Sequence, residues 1–242
     1  MKIFLLAHQD DEVFFLPHIH NSEEKLFIYL TNGVSKTSSS KKAEKRAFEA
    51  DRIFTKYLYP FNSNVIWWGN EQQIPEGELH NFITNSNLLD LSQIVSNYSK
   101  GDALLVTSTF EGAHQDHDSA AIITRRIAQL NHLQIIEMPT YPMRETKHYS
   151  FRVMHSKHKL ERIDFKRVSS LKLSLQLMYA YKTQFRTWLG LGVFVCLKYA
   201  FGQNFSSEPK PLSKIEYCFY EYRNRSTQAQ VLDKLSNIAG MK

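Results

Sequence analysis

The stretch KIFLLAHQDDE, at residues 2–12, carries most of the information about the fold of this chain. It begins with a short apolar run, Lys2–Ala7, and continues directly into a group of imidazole and carboxylate side chains. A continuous apolar run is typical of a strand that is buried on both faces of a parallel sheet. Open sheets of this kind bind ligands at the carboxyl ends of their strands, so the polar group marks a candidate site.

Apolar runs recur along the first 142 residues, with helical patterns between them. The predicted strands are Lys2–Ala7, Leu26–Thr31, Asn64–Trp68, Ala103–Thr107 and Leu133–Met138, and the predicted helices are Ser38–Tyr57, Asn87–Tyr98 and His117–Leu130. This regular alternation predicts an α/β fold: a Rossmann-like, doubly wound and mostly parallel sheet with helices on both faces.

The alternation fades after Pro142. We expect a helix over Ser169–Trp188, a loop over Gln203–Ser213 and a late strand over Lys214–Arg223. No stretch with the composition of a linker divides the chain. The sequence therefore predicts that residues 1–142 form the core and that residues 143–242 form a basic C-terminal elaboration of the same domain.

Composition excludes several classes of protein. The chain has 242 residues, 43% of them hydrophobic, and only two cysteines, Cys196 and Cys218, which excludes a disulfide framework and a four-cysteine zinc site. The apolar start ends too early for a signal peptide. The longest apolar tract, Trp188–Phe201, is shorter than the roughly 20 residues that span a bilayer. We therefore expect no transmembrane segment and a cytoplasmic location, either free or peripheral to a membrane.

Charge is distributed unevenly along the chain. There are 12 basic and 17 acidic residues up to Pro142, against 18 basic and 7 acidic residues from Met143 onward. In the second part, basic residues are interleaved with apolar ones, and the aromatic and aliphatic tract Trp188–Leu197 follows. One interpretation is an ordinary solvated surface; the other is a surface for an anionic or lipid-linked glycan at a membrane. No nucleic-acid-binding motif accompanies the charge.

Two clusters of imidazole and carboxylate groups follow predicted strands. The first is His8–Glu12, after the first strand, and the second is Glu111–His117, after the fourth. If the strand order is 3-2-1-4-5, the first and fourth strands flank the point where the order reverses. The two clusters would then face each other across one crevice.

The residue types in these clusters suggest a metal site. His8, Asp11 and His117 offer two imidazoles and one carboxylate, which suits zinc with an open coordination position. Asp10 is then available as a general base, and His114 could stabilise an oxyanion as imidazolium or protonate a leaving amine. Asp116 could orient His114 or keep it protonated. The alternative is that the carboxylates only stabilise helix N-termini.

The two clusters also carry a family resemblance. AHQDDE at Ala7–Glu12 resembles the AHPDDE signature of the PIG-L (LmbE-like) N-acetylglucosaminyl deacetylases. GAHQDH at Gly112–His117 resembles the second signature of that family, and Arg46–Glu49 resembles its Arg-x-x-Glu helix. The similarity covers residues 2–142. Gln9 and Gln115 depart from the pattern, since the family often has proline there.

The resemblance implies a Rossmann-like fold, a divalent metal and hydrolysis of an N-acetyl group on an amino sugar. The metal is usually Zn²⁺, with Fe²⁺ as another option. Carried over by position, His8, Asp11 and His117 are metal ligands, Asp10 is the base, and His114 is its partner, supported by Asp116. Two further residues, Arg46 and Tyr141, are candidates for substrate binding.

The sequence therefore predicts a zinc-dependent deacetylase of an N-acetylated amino sugar in a glycoconjugate or its precursor. Three alternatives remain: a metal-dependent amidase for another amide, a metal phosphohydrolase, and a binding module without catalysis. A phosphohydrolase normally has a second metal or a phosphate-binding loop, and neither is evident in the sequence.

Overall fold

The computed structural model describes residues 1–20, 23–99, 103–112, 114–140, 161–162, 167–201, 204–205 and 226–239. Its centre is a five-stranded sheet with the order β3-β2-β1-β4-β5, in which every neighbouring pair is parallel. The strands are β1 (Lys2–Leu6), β2 (Lys25–Tyr29), β3 (Ser63–Ile66), β4 (Leu104–Ser108) and β5 (Gln134–Met138). The predicted α/β fold, the five strands and the 3-2-1-4-5 order are confirmed.

The strands form because both of their faces are buried. Along β1, Ile3 and Leu5 belong to one apolar core, whereas Phe4 and Leu6 belong to a second core on the opposite face. Alternate residues of a strand point to opposite faces, so a strand covered on both sides needs an unbroken apolar run. This explains why sequence pattern alone located all five strands.

Helices pack against both faces of the sheet and complete the two apolar cores. Their bounds are α1 (Leu16–Ile19), α2 (Ser40–Ile53), α3 (Trp68–Glu71), α4 (Leu79–Phe82), α5 (Asn85–Ser99), α6 (Gln115–Asn131), α7 (Arg167–Ala180), α8 (Phe185–Phe201) and α9 (Gln228–Ala239). Helices α5, α6 and α9 bury side chains in the core with Ile3, and α1, α2, α7 and α8 bury theirs in the core with Phe4. The sheet is thus covered on both faces, as predicted.

The prediction of one continuous helix over Ser169–Trp188 is wrong. The structure has two helices here, α7 and α8, separated by a short 3-10 turn at Lys182–Gln184. No glycine or proline marks this break. Tyr181 and Thr183 instead bind side chains of the first 50 residues, and these contacts hold the chain in a turn. We name residues 167–201 the C-terminal hairpin.

Several predictions concern segments that the structure describes only in part. Within the expected loop Gln203–Ser213, Asn204–Phe205 pairs with Glu161–Arg162 as a short antiparallel ribbon. The late strand Lys214–Arg223, Cys218 and the candidate substrate residue Tyr141 lie outside the described residues. Among the residues that are described, no helix is long and apolar enough to cross a bilayer.

Candidate metal centre and active site

The two signature motifs meet at the carboxyl edge of the sheet. His8 follows β1, Asp11 begins a 3-10 turn over Asp11–Phe14, and His117 lies in the first turn of α6. Because β1 and β4 are parallel neighbours, the segments that leave them emerge side by side. The predicted convergence of His8, Asp11 and His117 is observed.

The three side chains present donor atoms around a common point. His117 Nε2 lies 3.2 Å from His8 Nδ1 and 3.0 Å from Asp11 Oδ1, and His8 Nδ1 lies 3.7 Å from Asp11 Oδ1. All three residues are buried. Tetrahedral zinc with bonds of about 2.0 Å places its ligands about 3.3 Å apart, so the donor set matches what Zn²⁺ requires.

Hydrogen bonds fix the orientation of the His117 ring. Its Nδ1 lies 2.8 Å from Thr140 Oγ1, and the Thr140 hydroxyl donates to Glu111 Oε1 at 2.6 Å. Because the single hydroxyl proton goes to the carboxylate, the Thr140 oxygen accepts the proton of His117 Nδ1. The lone pair of His117 is therefore on Nε2, the atom that points at His8 and Asp11, and is available to a metal.

A hydrogen bond to Asp116 orients the His8 ring in the same way. Asp116 Oδ2 lies 3.0 Å from His8 Nε2, so the neutral form of His8 keeps its proton on Nε2 and its lone pair on Nδ1. The sequence predicts that Asp116 orients His114 or keeps it protonated; in the structure Asp116 Oδ2 lies 4.0 Å from His114 Nδ1, beyond hydrogen-bonding distance. The Asp116 carboxylate also accepts hydrogen bonds from the backbone N–H groups of Gly77 and Leu79. The Asp116 carboxylate therefore makes its side-chain hydrogen bond to His8.

The charge around the cluster favours a cation. Burial by itself would lower the pKa of His8, but the carboxylates of Asp11 and Asp116 hold it well above its ordinary value. Burial would likewise raise the pKa of Asp11 and Asp116, yet the neighbouring histidines lower both, that of Asp116 to about 2. Two ionised carboxylates in a buried pocket attract positive charge, whether from a proton or from a metal ion.

Asp10 stands next to the cluster without belonging to it. Its Oδ1 lies 2.9 Å from Arg46 Nη2, and the side chain is almost fully buried. Burial raises the pKa of Asp10, and the Arg46 guanidinium opposes that rise. Arg46, predicted to bind substrate, is fully buried and contacts Asp10. A carboxylate with a raised pKa is a better proton acceptor, as a general base must be.

His114 is both a site residue and the N-cap of α6. Its Nδ1 accepts a hydrogen bond from the backbone N–H of Asp116 at 3.2 Å. A nitrogen that accepts carries no proton, so the ring proton lies on Nε2 in this arrangement. The geometry therefore favours a neutral imidazole that donates through Nε2 over the imidazolium considered from the sequence.

The C-terminal hairpin reaches the site from the other side. Thr183 donates to the Glu49 carboxylate through its backbone N–H at 3.1 Å and through its hydroxyl, and its Oγ1 accepts from Arg46 Nη1 at 3.2 Å. The Arg46 guanidinium also lies over the ring of Tyr181, at 5.0 Å from its centroid. The hairpin thereby holds the arginine that contacts Asp10.

A buried carboxyl links the same hairpin to the first signature. Glu12 accepts hydrogen bonds from Tyr29 Oη at 3.0 Å and from Tyr181 Oη at 2.5 Å. Burial raises the pKa of Glu12 to about 8. The residue that ends AHQDDE therefore anchors the chain that follows α7.

Glu76 is a site residue that the sequence did not reveal. It follows β3 in a segment without a motif, yet its Oε1 lies 3.9 Å from His114 Nε2. The two glutamines that depart from the family pattern hold this segment: Gln9 donates to Asn70 at 2.5 Å, and Gln115 donates to the carbonyl of Gly77. The two glutamines were the only hint in the sequence that this segment reaches the site. Their hydrogen-bond partners could not be predicted, because these lie far away in the sequence.

Comparison with known proteins identifies the fold. A triple mutant of a deacetylase of the teicoplanin biosynthetic pathway matches with a TM-score of 0.61 at 12% identity, over 84% of this chain and 95% of the other. The A40926 pseudoaglycone deacetylase Dbv21 matches with a TM-score of 0.57 at 13% identity, over 84% and 94%. The zinc-inhibited form of the teicoplanin deacetylase Orf2 gives 0.59 at 11% identity, over 85% and 96%.

Sequence comparison adds no closer relative. No protein-family profile matches the chain, and no curated protein sequence matches it. At identities of 11–13%, the structural similarity establishes a common architecture rather than a common activity. The chain therefore has the fold of these deacetylases, with its three clustered donor residues at the carboxyl edge of the sheet.

Proposed function

We propose that this protein is a metal-dependent deacetylase of the PIG-L (LmbE-like) type, which removes the N-acetyl group from an amino sugar. One observation carries the proposal: His8, Asp11 and His117 direct three donor atoms at one point, and the uncoordinated carboxylate of Asp10 stands beside them. The fold shared with deacetylases supports it.

The donor set suits Zn²⁺, and Fe²⁺ is the other ion that we consider. A divalent ion held by His8, Asp11 and His117 would supply a Lewis acid that polarises the amide carbonyl. The Thr140–Glu111 pair and Asp116 keep the two imidazoles in the tautomers that such an ion requires.

Asp10 carries out both proton transfers, and His114 stabilises the developing negative charge. Asp10 accepts a proton from the attacking water as the water oxygen bonds to the acetyl carbon. His114 donates a hydrogen bond from Nε2 to the oxygen that becomes negative. When the C–N bond breaks, Asp10 returns the proton to the amine nitrogen, which yields acetate and a free amino sugar.

We place the sugar against Glu76, whose carboxylate faces His114 across the site. An ionised carboxylate can accept hydrogen bonds from sugar hydroxyls. The basic C-terminal part favours an acceptor that is anionic or lipid-linked. A cytoplasmic location, free or at the periphery of a membrane, completes the proposal.

The decisive experiment is acetate release from a panel of N-acetyl sugars, with and without a chelator. We expect release from at least one amino sugar, loss with the chelator, and recovery with added Zn²⁺ or Fe²⁺. Release from a non-sugar amide alone would reassign the enzyme to another amidase class. Phosphate release instead of acetate would contradict the proposal.

Asp10→Asn separates catalysis from metal binding. The amide keeps the size of the side chain but cannot accept a proton at neutral pH. We expect unchanged metal content and a kcat that falls by about 10²-fold or more, which is the usual scale for loss of a general base. Turnover close to wild type at saturating substrate would exclude Asp10 from this role.

A further inference from the structure

The C-terminal hairpin has an unusual charge pattern. Its 35 residues, 167–201, contain five basic side chains and no aspartate or glutamate. The same stretch is rich in leucine, valine, phenylalanine, tryptophan and tyrosine. Basic side chains favour contact with anionic lipid headgroups, and exposed apolar side chains can enter the boundary between headgroups and acyl chains.

The inner side of the hairpin accounts for only part of these apolar residues. Seven of them are buried in the core that contains Phe4: Leu173, Leu177, Met178, Tyr181, Trp188, Val195 and Tyr199. This side fixes both helices to the sheet, so their opposite sides face away from the core.

The outer side of the hairpin is apolar as well. We call it the hairpin surface, and it consists of Val168, Leu175, Tyr179, Phe185, Leu189 and Val193. Their exposed fractions run from 49% to 82%. On each helix the exposed positions recur at helical spacing, so they line one face. Large apolar side chains that are exposed together on a helix face are a common feature of interaction sites.

Charge decides which partner fits. Lys172, Lys182 and Arg186 are exposed on the same two helices and their connecting turn. Two copies that met through this surface would bring like charges together without an acidic partner from either hairpin, which opposes association. An anionic lipid surface offers apolar depth for the large side chains and negative charge for the basic ones.

We propose that the hairpin surface docks this protein on anionic membranes. The six apolar side chains enter the boundary between headgroups and acyl chains, and Lys172, Lys182 and Arg186 pair with lipid phosphates or carboxylates. The turn of the hairpin also contacts Arg46 and Glu49, beside Asp10. Docking would therefore bring the candidate active site close to the lipid headgroups, although the docking itself does not depend on catalysis.

Vesicle flotation of the full chain tests the proposal. We expect wild-type protein to float with vesicles of phosphatidylcholine and 30% phosphatidylglycerol, and to float far less with phosphatidylcholine alone. Phe185→Glu combined with Leu189→Glu should lower the partition coefficient by roughly tenfold or more, because each carboxylate opposes both insertion and the lipid charge. Lys172→Glu with Arg186→Glu should act similarly, and high salt should weaken wild-type binding.

Two matched variants control for general effects. Leu89→Glu changes an equally exposed leucine on α5, a helix that packs on the opposite face of the sheet. Lys41→Glu with Lys42→Glu makes the same change in net charge on α2. Both should bind vesicles like the wild type, and circular dichroism should confirm that every variant is folded.

Three outcomes would overturn the proposal. The first is wild-type protein that binds neither vesicle type, and the second is a loss of binding that is equal in the hairpin and control variants. The third is a wild-type dimer that Leu189→Glu dissociates while vesicles have no effect, since this would identify a second copy as the partner. None of these outcomes concerns acetate release, so the docking and the deacetylase activity fail or hold separately.

Discussion

At the scale of single residues, the site depends on which nitrogen of each imidazole carries the proton. His8 uses Nδ1 and His117 uses Nε2 toward the common point, and each choice follows from a hydrogen bond at the other nitrogen. The sequence located the donors but not these choices, because the contacts of His8 with Asp116 and of His117 with Thr140 join residues that are far apart in the chain. The two neutral rings therefore carry their protons on different nitrogens, and both direct a lone pair at the point where one ion would bind.

Thr140→Val tests whether Thr140 fixes the tautomer of His117. Valine keeps the shape of threonine but removes the oxygen that accepts from Nδ1, so the ring is no longer held in the tautomer that binds metal. We expect the affinity for Zn²⁺ to fall by about 10- to 100-fold, measured by competition with a chromophoric chelator. Thr124→Val is the control, since Thr124 is a buried threonine of α6, the helix that carries His117, and its hydroxyl donates to the Ala120 carbonyl. Equal affinity in the two variants would contradict the proposed role of Thr140.

His114 combines a structural and a chemical role that two substitutions can separate. Asparagine is among the preferred N-cap residues, whereas alanine cannot cap a helix. We expect His114→Asn to keep most of the wild-type stability and His114→Ala to lose about 1 kcal/mol, as measured by urea unfolding. Both variants should lower kcat more than they raise KM, because both remove the Nε2 donor. An asparagine variant with full activity would reduce His114 to a helix cap.

At the scale of elements, the strands were predictable and the break in the C-terminal hairpin was not. Burial on both faces leaves a local signature in the strand sequence. The break at Lys182–Gln184 is stabilised by contacts with residues more than 130 positions away, namely Thr183 with Glu49 and Tyr181 with Glu12. Local helix propensity could not reveal it, because no glycine or proline interrupts the pattern.

Thr183→Val tests whether this turn positions Arg46. Loss of the hydroxyl removes one partner from Arg46 and one from Glu49, which should loosen the guanidinium that faces Asp10. Since the charge of Arg46 opposes the rise in the pKa of Asp10, a looser contact should raise that pKa further. We expect the acidic limb of the kcat/KM profile to shift to higher pH and kcat to fall several-fold.

Thr187→Val is the matched control for that experiment. Thr187 lies four residues later on α8, is exposed and bonds to the Gln184 side chain. Its pH profile should coincide with that of the wild type. A shift of equal size in both variants would point to a general effect on the hairpin and would contradict a specific role of Thr183.

At the scale of the whole molecule, the site is built from two signature segments, whose meeting the sequence predicts, and from the Glu76 segment, whose position it does not. The two signatures were expected to meet, because parallel neighbouring strands end at the same edge. Glu76 was not expected, because it lies in a segment without a motif, which Gln9 and Gln115 contact at Asn70 and Gly77. The residues of a motif can thus be assigned from sequence wherever the sheet topology brings the motifs together. The position of the loop that completes the site can be found only from the structure.

The stability of the whole chain should depend on pH through a histidine outside the two signature motifs. His18 is buried in α1, and desolvation, with a contribution from the charge of Lys2, lowers its pKa to about 4. An unfolded histidine titrates near 6.5, so between these values the unfolded state binds more protons than the folded state. The contribution of the neutral His18 to stability is therefore complete above pH 6.5 and is lost as the pH falls toward 4.

His18→Gln should remove this part of the pH dependence, because glutamine has a similar polar side chain that does not titrate. In urea unfolding with a chelator present, we expect the wild-type free energy of unfolding to fall more steeply between pH 6.5 and 4.5, by at most about 1.4 kcal/mol per pH unit. Above pH 7.5 the slopes should coincide, since both forms of residue 18 are then neutral. Equal slopes below pH 6.5 would mean that His18 is protonated in the folded chain and would contradict the prediction.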